Sequence, residues 1–358
     1  MWFLLVLVIV ALVTVFHLRG QDLGQYDTPL GQSFNTGHAR TDEHDAVEAS
    51  LDVGMGPLRR VPRRQRLAMM RQYMDSVSQT QDFHAIITPV DAGGVKAEWV
   101  LAPGADSARR VLYIHGGAFV MGSPTSHRNI TSKFSQVANA AVLAIDYRLM
   151  PEHPRMAGIE DCRSTYKWLL LNGPDGPLAA DKVYVAGDSA GGNLTLSLIA
   201  WVRDQGLRQP DAAVALSPTT DATFGSPSLK HNMETDAMLG PMFKGMAMIP
   251  KPLLWWFIWF QNRMTPRSPL LSPVFGDLSG LPPTLVHASE SELLFDDGRR
   301  YANRAAAAGS PARFQSWVHV VHVWHMFNPQ LSEAREAWDE IEKFIAQADA
   351  AASSGAVV

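Results

Sequence analysis

The stretch KVYVAGDSAGGNLTLSLIAWVRDQG, residues 182–206, decides the fold. Its first part, Lys182 to Ala186, is short, apolar and rich in valine, and predicts a buried strand. Its last part, from Asn193 onward, carries apolar residues at helical spacing and predicts a helix. Between them lies Gly187-Asp188-Ser189-Ala190-Gly191, a Gly-x-Ser-x-Gly turn. A turn this tight from strand to helix holds its central residue in a strained backbone region and projects its hydroxyl over the sheet edge. The flanking glycines are needed because larger side chains would collide there. The helix that follows aims its N-terminal N–H dipoles at the place where negative charge would develop. Ser189 is therefore the candidate nucleophile. A phosphate-binding glycine loop occupies a similar position after a strand, but it needs G-x-G-x-x-G or G-x-x-x-x-G-K-[ST], and neither pattern is present.

Strands and helices alternate on both sides of this stretch. VLYIHGG (111–117), AVLAIDYR (141–148), AAVALSP, PTLVHASE and ARFQSWVHV predict strands, with helices over 127–140, 160–172, 297–308 and roughly 330–346. Helices of this length between strands imply right-handed crossovers and a mostly parallel central sheet flanked by helices. Residues 222–270 break the alternation and contain the block Trp255, Trp256, Phe257, Ile258, Trp259 and Phe260. That block fits a core helix, a helical cap lining an acyl pocket, or a membrane-contacting surface.

An earlier strand closes on His115-Gly116-Gly117-Ala118. Glycines let the backbone approach a substrate without a Cβ in the way. The loop can aim N–H groups at a carbonyl oxygen as it becomes an oxyanion, and the residue after the nucleophile, Ala190, supplies another. The expected oxyanion hole is thus Gly116, Gly117, Ala118 and Ala190, with Gly117 and Ala118 as the main donors of the loop. His115 is expected to orient the loop and not to act as the base.

At these two motifs the chain resembles the bacterial hormone-sensitive-lipase-like esterases and lipases, which carry His-Gly-Gly-Gly and Gly-Asp-Ser-Ala-Gly-Gly. The resemblance continues in DYRLMPEHP (146–154), in LSPVFGDLSGLPPTLVHAS (271–289) and in the final histidine loop, and covers roughly residues 85–346. It implies an α/β-hydrolase fold with a helical cap, and hydrolysis of carboxylic esters of short to medium acyl chains through an acyl-enzyme. The chain departs from the family pattern at Ala118, where the third glycine is usual, and at Arg155-Met156-Ala157, where Phe-Pro-Ala is usual.

In this fold the triad follows the order Ser, acid, His. The segment PPTLVHASESELLFDDG offers Glu290, Glu292, Asp296 and Asp297 after a late strand. The family register places the acid at Glu292, although the family usually has Asp, and puts Asp296 and Asp297 at a helix start, where they complement the dipole. For the base, VHVVHVWHMF offers His319, His322 and His325. A metal site from these three is disfavoured, because a strand running into a loop does not put them on one side. The family's Trp-His-x-Phe matches Trp324-His325-Met326-Phe327 and makes His325 the expected base, with His319 and His322 left without chemical duty. No metal or organic cofactor is implied. An amidase and a non-catalytic ligand-binding protein on the same fold are the alternatives; such binding proteins lose a triad residue, whereas this chain keeps Ser, an acid and His.

The bulk numbers set the frame. The 358 residues suffice for one large core domain plus a cap. The net charge of −4 calls for no nucleic acid as a partner, and the single cysteine, Cys162, rules out an internal disulfide. Residues 1–18, MWFLLVLVIVALVTVFHL, form an apolar run with no basic start and no small-x-small cleavage site. It is expected to be an uncleaved membrane anchor, with an atypical export signal or a hydrophobic helix docked on the soluble domain as the alternatives. Residues 21–83 read as linker and N-terminal cap helices, with a basic stretch from Arg59 to Arg66. The catalytic domain is expected over 84–346 and a flexible tail over 347–358. The substrate partner is a small-molecule ester, and the oligomeric state is left open.

Overall fold

A computed structural model describes residues 2–59, 61–79 and 83–354. Its strands are β1 (Gln32–Phe34), β2 (Ile86–Asp91), β3 (Lys96–Leu101), β4 (Asp106–Ile114), β5 (Ala140–Ile145), the small hairpin β6 (Asn172–Gly173) and β7 (Gly176–Pro177), β8 (Lys182–Asp188), β9 (Ala212–Leu216), β10 (Thr284–Ser289) and β11 (Ala312–Trp317). Nine of them form one sheet in the order β1-β11-β10-β9-β8-β4-β5-β3-β2. All neighbours from β1 to β5 are parallel, and β3 and β2 close the far edge antiparallel.

The helices between them are α4 (Arg128–Ala138), α5 (Arg155–Leu169), α6 (Ala190–Asp204) and α10 (Phe295–Ala307), followed by α11 (Ser332–Ser354). Every residue of β5, β9 and β10 is buried, as expected of parallel strands covered on both faces. Because successive side chains alternate in direction, one strand feeds two cores. Leu112, Ile114, Val183, Val185, Ala213 and Ala215 pack with α5, α6 and α10, while Val111, Tyr113, Tyr184, Ala186, Val214 and Leu216 pack with α4 and α11. The chain goes from β4 to β5 on one side and then returns to β8 on the other. The strand order therefore reverses at β4 and β8, and a crevice opens at their carboxyl ends, where ligands bind in such sheets.

The cap between β9 and β10 contains α7 (Ser228–His231), α8 (Gly240–Ala247) and α9 (Lys251–Asn262). The aromatic block lies on α9 and divides by face: Trp255 is buried and donates Nε1–H to the Thr223 carbonyl at 2.8 Å, while Phe257 and Phe260 are exposed.

Three expectations change. The apolar N-terminal run is helical over α1 (Trp2–Val13), and a five-residue π-helical turn, Thr14–Leu18, then docks on α9, with Trp256 Nε1 donating to Thr14 Oγ1 at 2.9 Å. Among the described residues no helix is long and apolar enough to cross a membrane, so the expected placement at a membrane through residues 1–18 is overturned. The expected linker is partly structured: β1 adds a parallel edge strand beside β11, and Phe34 stacks on Trp317 with ring centroids 4.3 Å apart. Residues 42–59 and 63–79 form α2 (Asp42–Arg59) and α3 (Arg63–Gln79), while Arg60, in the basic stretch, lies outside the described residues. At the other end α11 continues to Ser354, through much of the expected tail, and residues 355–358 lie outside the described residues.

Candidate active site

Ser189 sits between β8 and α6 with φ 52° and ψ −114°, a conformation that L-residues rarely adopt. Its N–H donates to the Leu216 carbonyl at 2.7 Å, and its own carbonyl accepts the Asn193 N–H at 3.1 Å. The neighbouring strand and the first turn of α6 therefore hold the strained residue from both sides. The glycines are fixed by space: a Cβ on Gly187 would meet the Gly191 and Ile114 carbonyl oxygens at 2.6 Å, and one on Gly191 would run into the Ile114 and His115 carbonyls.

The loop after β4 turns through Gly117, Ala118 and Phe119, with φ of 112°, 54° and 64°. The Gly117 carbonyl accepts the N–H groups of Val120 and Met121 at 3.1 and 3.0 Å. The N–H groups of Gly117 and Ala118 have no hydrogen-bond partner among the described residues, and Ala190, first in α6, lies ahead of the helical ladder. Gly116 differs from expectation. Its N–H donates to Asp188 Oδ1 at 3.0 Å, so it is consumed in anchoring the loop and is not a free oxyanion donor. The His115 ring stacks on Tyr147 at 4.4 Å, and burial pushes its pKa down to about 3.

Asp188 does more than fill a position in the turn. The buried carboxylate accepts the Tyr113 hydroxyl at 2.6 Å as well as the Gly116 N–H, and lies 3.4 Å from His127 Nε2. Burial opposes charge on His127, but the carboxylate outweighs it and raises the imidazole above its ordinary value. One side chain thus ties the nucleophile turn to the oxyanion loop. Nothing in the sequence motif alone distinguishes this duty from a place in the turn.

Glu292 follows β10 and is fully buried. Its Oε1 accepts the Ser289 N–H at 3.1 Å, and its Oε2 accepts Nδ1–H of His322 at 2.6 Å. Burial raises the Glu292 carboxyl above the usual range, with His322 opposing. Burial also works against the His322 imidazolium, yet Glu292 outweighs it and the ring ends above its ordinary value. The loop that carries His322 is pinned next to the nucleophile turn: the Val323 N–H donates to Ser217 Oγ at 3.2 Å, and Ser217 directly follows Leu216, the residue that holds the Ser189 N–H.

The carboxylate thus meets His322, three residues before the expected base His325. Among the described residues His325 meets no carboxylate. It lies in the 3-10 turn Trp324–Phe327, its Nε2 is 3.0 Å from His287 Nδ1, and its Nδ1 has no partner among the described residues. The cause is local: β11 ends at Trp317, and Val323, at φ 51°, turns the chain back into the core, so that His322 stays with Glu292 while His325 is carried below. His319 is elsewhere, with Nε2 3.0 Å from the His38 carbonyl. Asp296 and Asp297 lie at the start of α10 but mainly fasten the segment after β9. Asp296 accepts the Ser228 N–H at 2.7 Å, and Asp297 accepts those of Thr220 and Asp221 at 2.7 and 3.0 Å.

A family model of the alpha/beta hydrolase fold matches residues 111–326. An acetyl-hydrolase of Streptomyces hygroscopicus is 38% identical over 258 residues, covering 72% of this chain and 81% of its own length. An esterase of Acinetobacter venetianus is 32% identical over 263 residues, 74% of this chain and 82% of its own. Among solved structures, an esterase from the bacterial hormone-sensitive lipase family superposes with a TM-score of 0.74 at 33% identity, over 86% of this chain and 99% of that one. The chain belongs to the bacterial hormone-sensitive-lipase family of α/β-hydrolases. As a member of that family it is a carboxylic ester hydrolase.

Proposed function

We propose that this hormone-sensitive-lipase family member hydrolyses esters of short to medium acyl chains through an acyl-enzyme on Ser189, with His322 as base and Glu292 as its partner. The observation that carries the reading is the buried 2.6 Å contact between His322 Nδ1 and Glu292 Oε2. A carboxylate there requires the proton on Nδ1, which leaves a lone pair on Nε2, the atom that must take the serine proton. Ser189 attacks the ester carbonyl as His322 removes its proton. The oxyanion meets the N–H groups of Gly117, Ala118 and Ala190, each such donor typically supplying about 2.7–4 kcal/mol of barrier lowering. His322 then protonates the leaving alcohol, and water repeats the sequence on the acyl-enzyme.

The acyl length is supported by relatives: one is named an acetyl-hydrolase, and a structural neighbour, EstE5, was soaked with p-nitrophenyl butyrate. A series of p-nitrophenyl esters from acetate to palmitate tests it, with kcat/KM expected to peak at eight carbons or fewer and a maximum at palmitate contradicting it. For the nucleophile, Ser189→Ala should abolish both turnover and covalent labelling by an organophosphonate. Labelling that persists on another serine would refute the assignment.

A further inference from the structure

Beneath the base loop a chain of polar side chains that the proposed chemistry does not use runs from the surface to the buried His287 and His325. Glu340 Oε2, on α11, accepts Nε2–H of Gln315 at 2.8 Å, and Gln32 Oε1, on β1, accepts the same amide nitrogen at 3.0 Å. Gln315 Oε1 is 2.8 Å from His287 Nε2, and His287 Nδ1 is 3.0 Å from His325 Nε2. Only one order of protons suits this chain. A carboxylate only accepts, so the Gln315 amide must turn its NH2 toward Glu340 and its oxygen toward His287. His287 must then donate from Nε2. A neutral His287 has a bare Nδ1, which accepts from His325 Nε2–H, and His325 is left with a bare Nδ1.

From these contacts we propose that His287 and His325 are positioning residues for His322, a neutral imidazole pair whose proton order is set from the surface by Glu340 through Gln315. The inference rests on the reading of His322 as the base. His325 is three residues beyond His322, and its ring is packed against Trp324 at 4.1 Å and edge-on to Trp338 at 6.0 Å. Its carbonyl accepts Trp338 Nε1–H at 3.1 Å. The loop is therefore held at Val323 by Ser217 and at His325 by His287, and the two holds meet, because the His287 carbonyl accepts the Ser217 N–H at 2.7 Å. His322 is left to swing only about its own side-chain bonds against Glu292. Burial keeps both lower rings neutral, with His287 near 4 and His325 well below its ordinary value. The charged or titratable groups that face the pair are Glu340 from α11 and His322 from the loop itself.

The test uses the full-length enzyme labelled with 15N at histidine, and long-range 1H–15N correlation spectra. His287 and His325 should both appear as Nε2–H tautomers, neutral from pH 8 to about pH 5, while His322 titrates separately. Glu340→Gln, a change near the surface, removes the obligatory acceptor, so Gln315 can reverse and the two rings should show mixed tautomers. Its kcat should fall a few-fold at unchanged KM. A charged ring at pH 7, an Nδ1–H tautomer of His325, or a Glu340→Gln spectrum identical to the wild type would overturn the proposal. The catalytic part is read from His325→Gln, which keeps an N–H within reach of His287, and His325→Leu, which does not. The Leu variant should lose about 10–100-fold in kcat with KM little changed, as expected of a misplaced catalytic group, and the Gln variant should recover most of it. Equal rates for the Gln and Leu variants would refute a positioning role. Full activity of His322→Ala would instead sink the base assignment while leaving the tautomer result standing.

Discussion

Replacing Glu292 by Gln changes one atom and, on this geometry, reverses the proton on the base. The glutamate oxygens have separate duties: Oε1 accepts the Ser289 N–H at 3.1 Å and Oε2 accepts His322 Nδ1–H at 2.6 Å. A glutamine in the same place must keep its oxygen toward the Ser289 N–H, because an NH2 there would face another donor. Its NH2 then faces His322 Nδ1 and requires a lone pair on that nitrogen. The ring is forced to carry its proton on Nε2, the atom that must accept the serine proton, and the base is blocked without any change of shape. The same reversal in serine proteases lowers turnover about ten-thousandfold, equivalent to about 5.4 kcal/mol at 1.36 kcal/mol per decade. We expect a similar loss in kcat for p-nitrophenyl acetate, with KM within a few-fold and the fold unchanged. The variant should also shift the acid limb of the rate profile. Glu292 holds the His322 pKa above its ordinary value, so the acid limb of the wild-type profile should lie higher than for a free imidazole, and without the carboxylate any residual activity should rise at a lower pH. A Glu292→Gln enzyme within tenfold of wild type, or with an acid limb moved upward, would refute this reasoning.

Other perturbations follow from single contacts. Gly191→Ala should abolish folding or activity, because its Cβ would meet the Ile114 and His115 carbonyl oxygens in a backbone-lined gap, and a soluble, active variant would contradict that packing. Asp188→Asn should lower kcat at least tenfold by loosening Gly116 from the nucleophile turn, read in steady-state kinetics as a kcat effect with KM little changed. Phe34→Ala should destabilise the fold by about 2 kcal/mol in urea unfolding, less than a fully buried Phe→Ala because the ring is half-buried on Trp317, with kcat nearly unchanged.

The parts of this fold legible in the sequence are those where one local rule suffices. Strands buried on both faces read as apolar runs, and the turn around Ser189 announces itself because only glycine fits at Gly187 and Gly191. The residues missed depend on distant partners. Gly116 looks like every other glycine of an oxyanion loop until Asp188 takes its N–H. His322 and His325 each stand three residues from another histidine, and the short motif around the second drew the expectation to it. The turn at Val323 that separates their directions has no sequence signature, since valine is among the residues least suited to positive φ. β1 was hidden for a different reason: three residues show no period, and its pairing is decided by Trp317, which lies at the other end of the chain. The N-terminal run reads as an anchor by hydropathy alone, whereas its α-helix gives way after Val13 to a π-helical turn that is held by Trp256.

The most direct test of the catalytic reading is the kcat of His322→Ala on p-nitrophenyl acetate, measured on protein whose circular dichroism matches the wild type. Loss of the base should lower kcat by four orders of magnitude or more, nearly as far as Ser189→Ala, because triad members act as a unit. A His322→Ala enzyme that keeps kcat within tenfold of wild type would contradict the pairing with Glu292 as the source of the base.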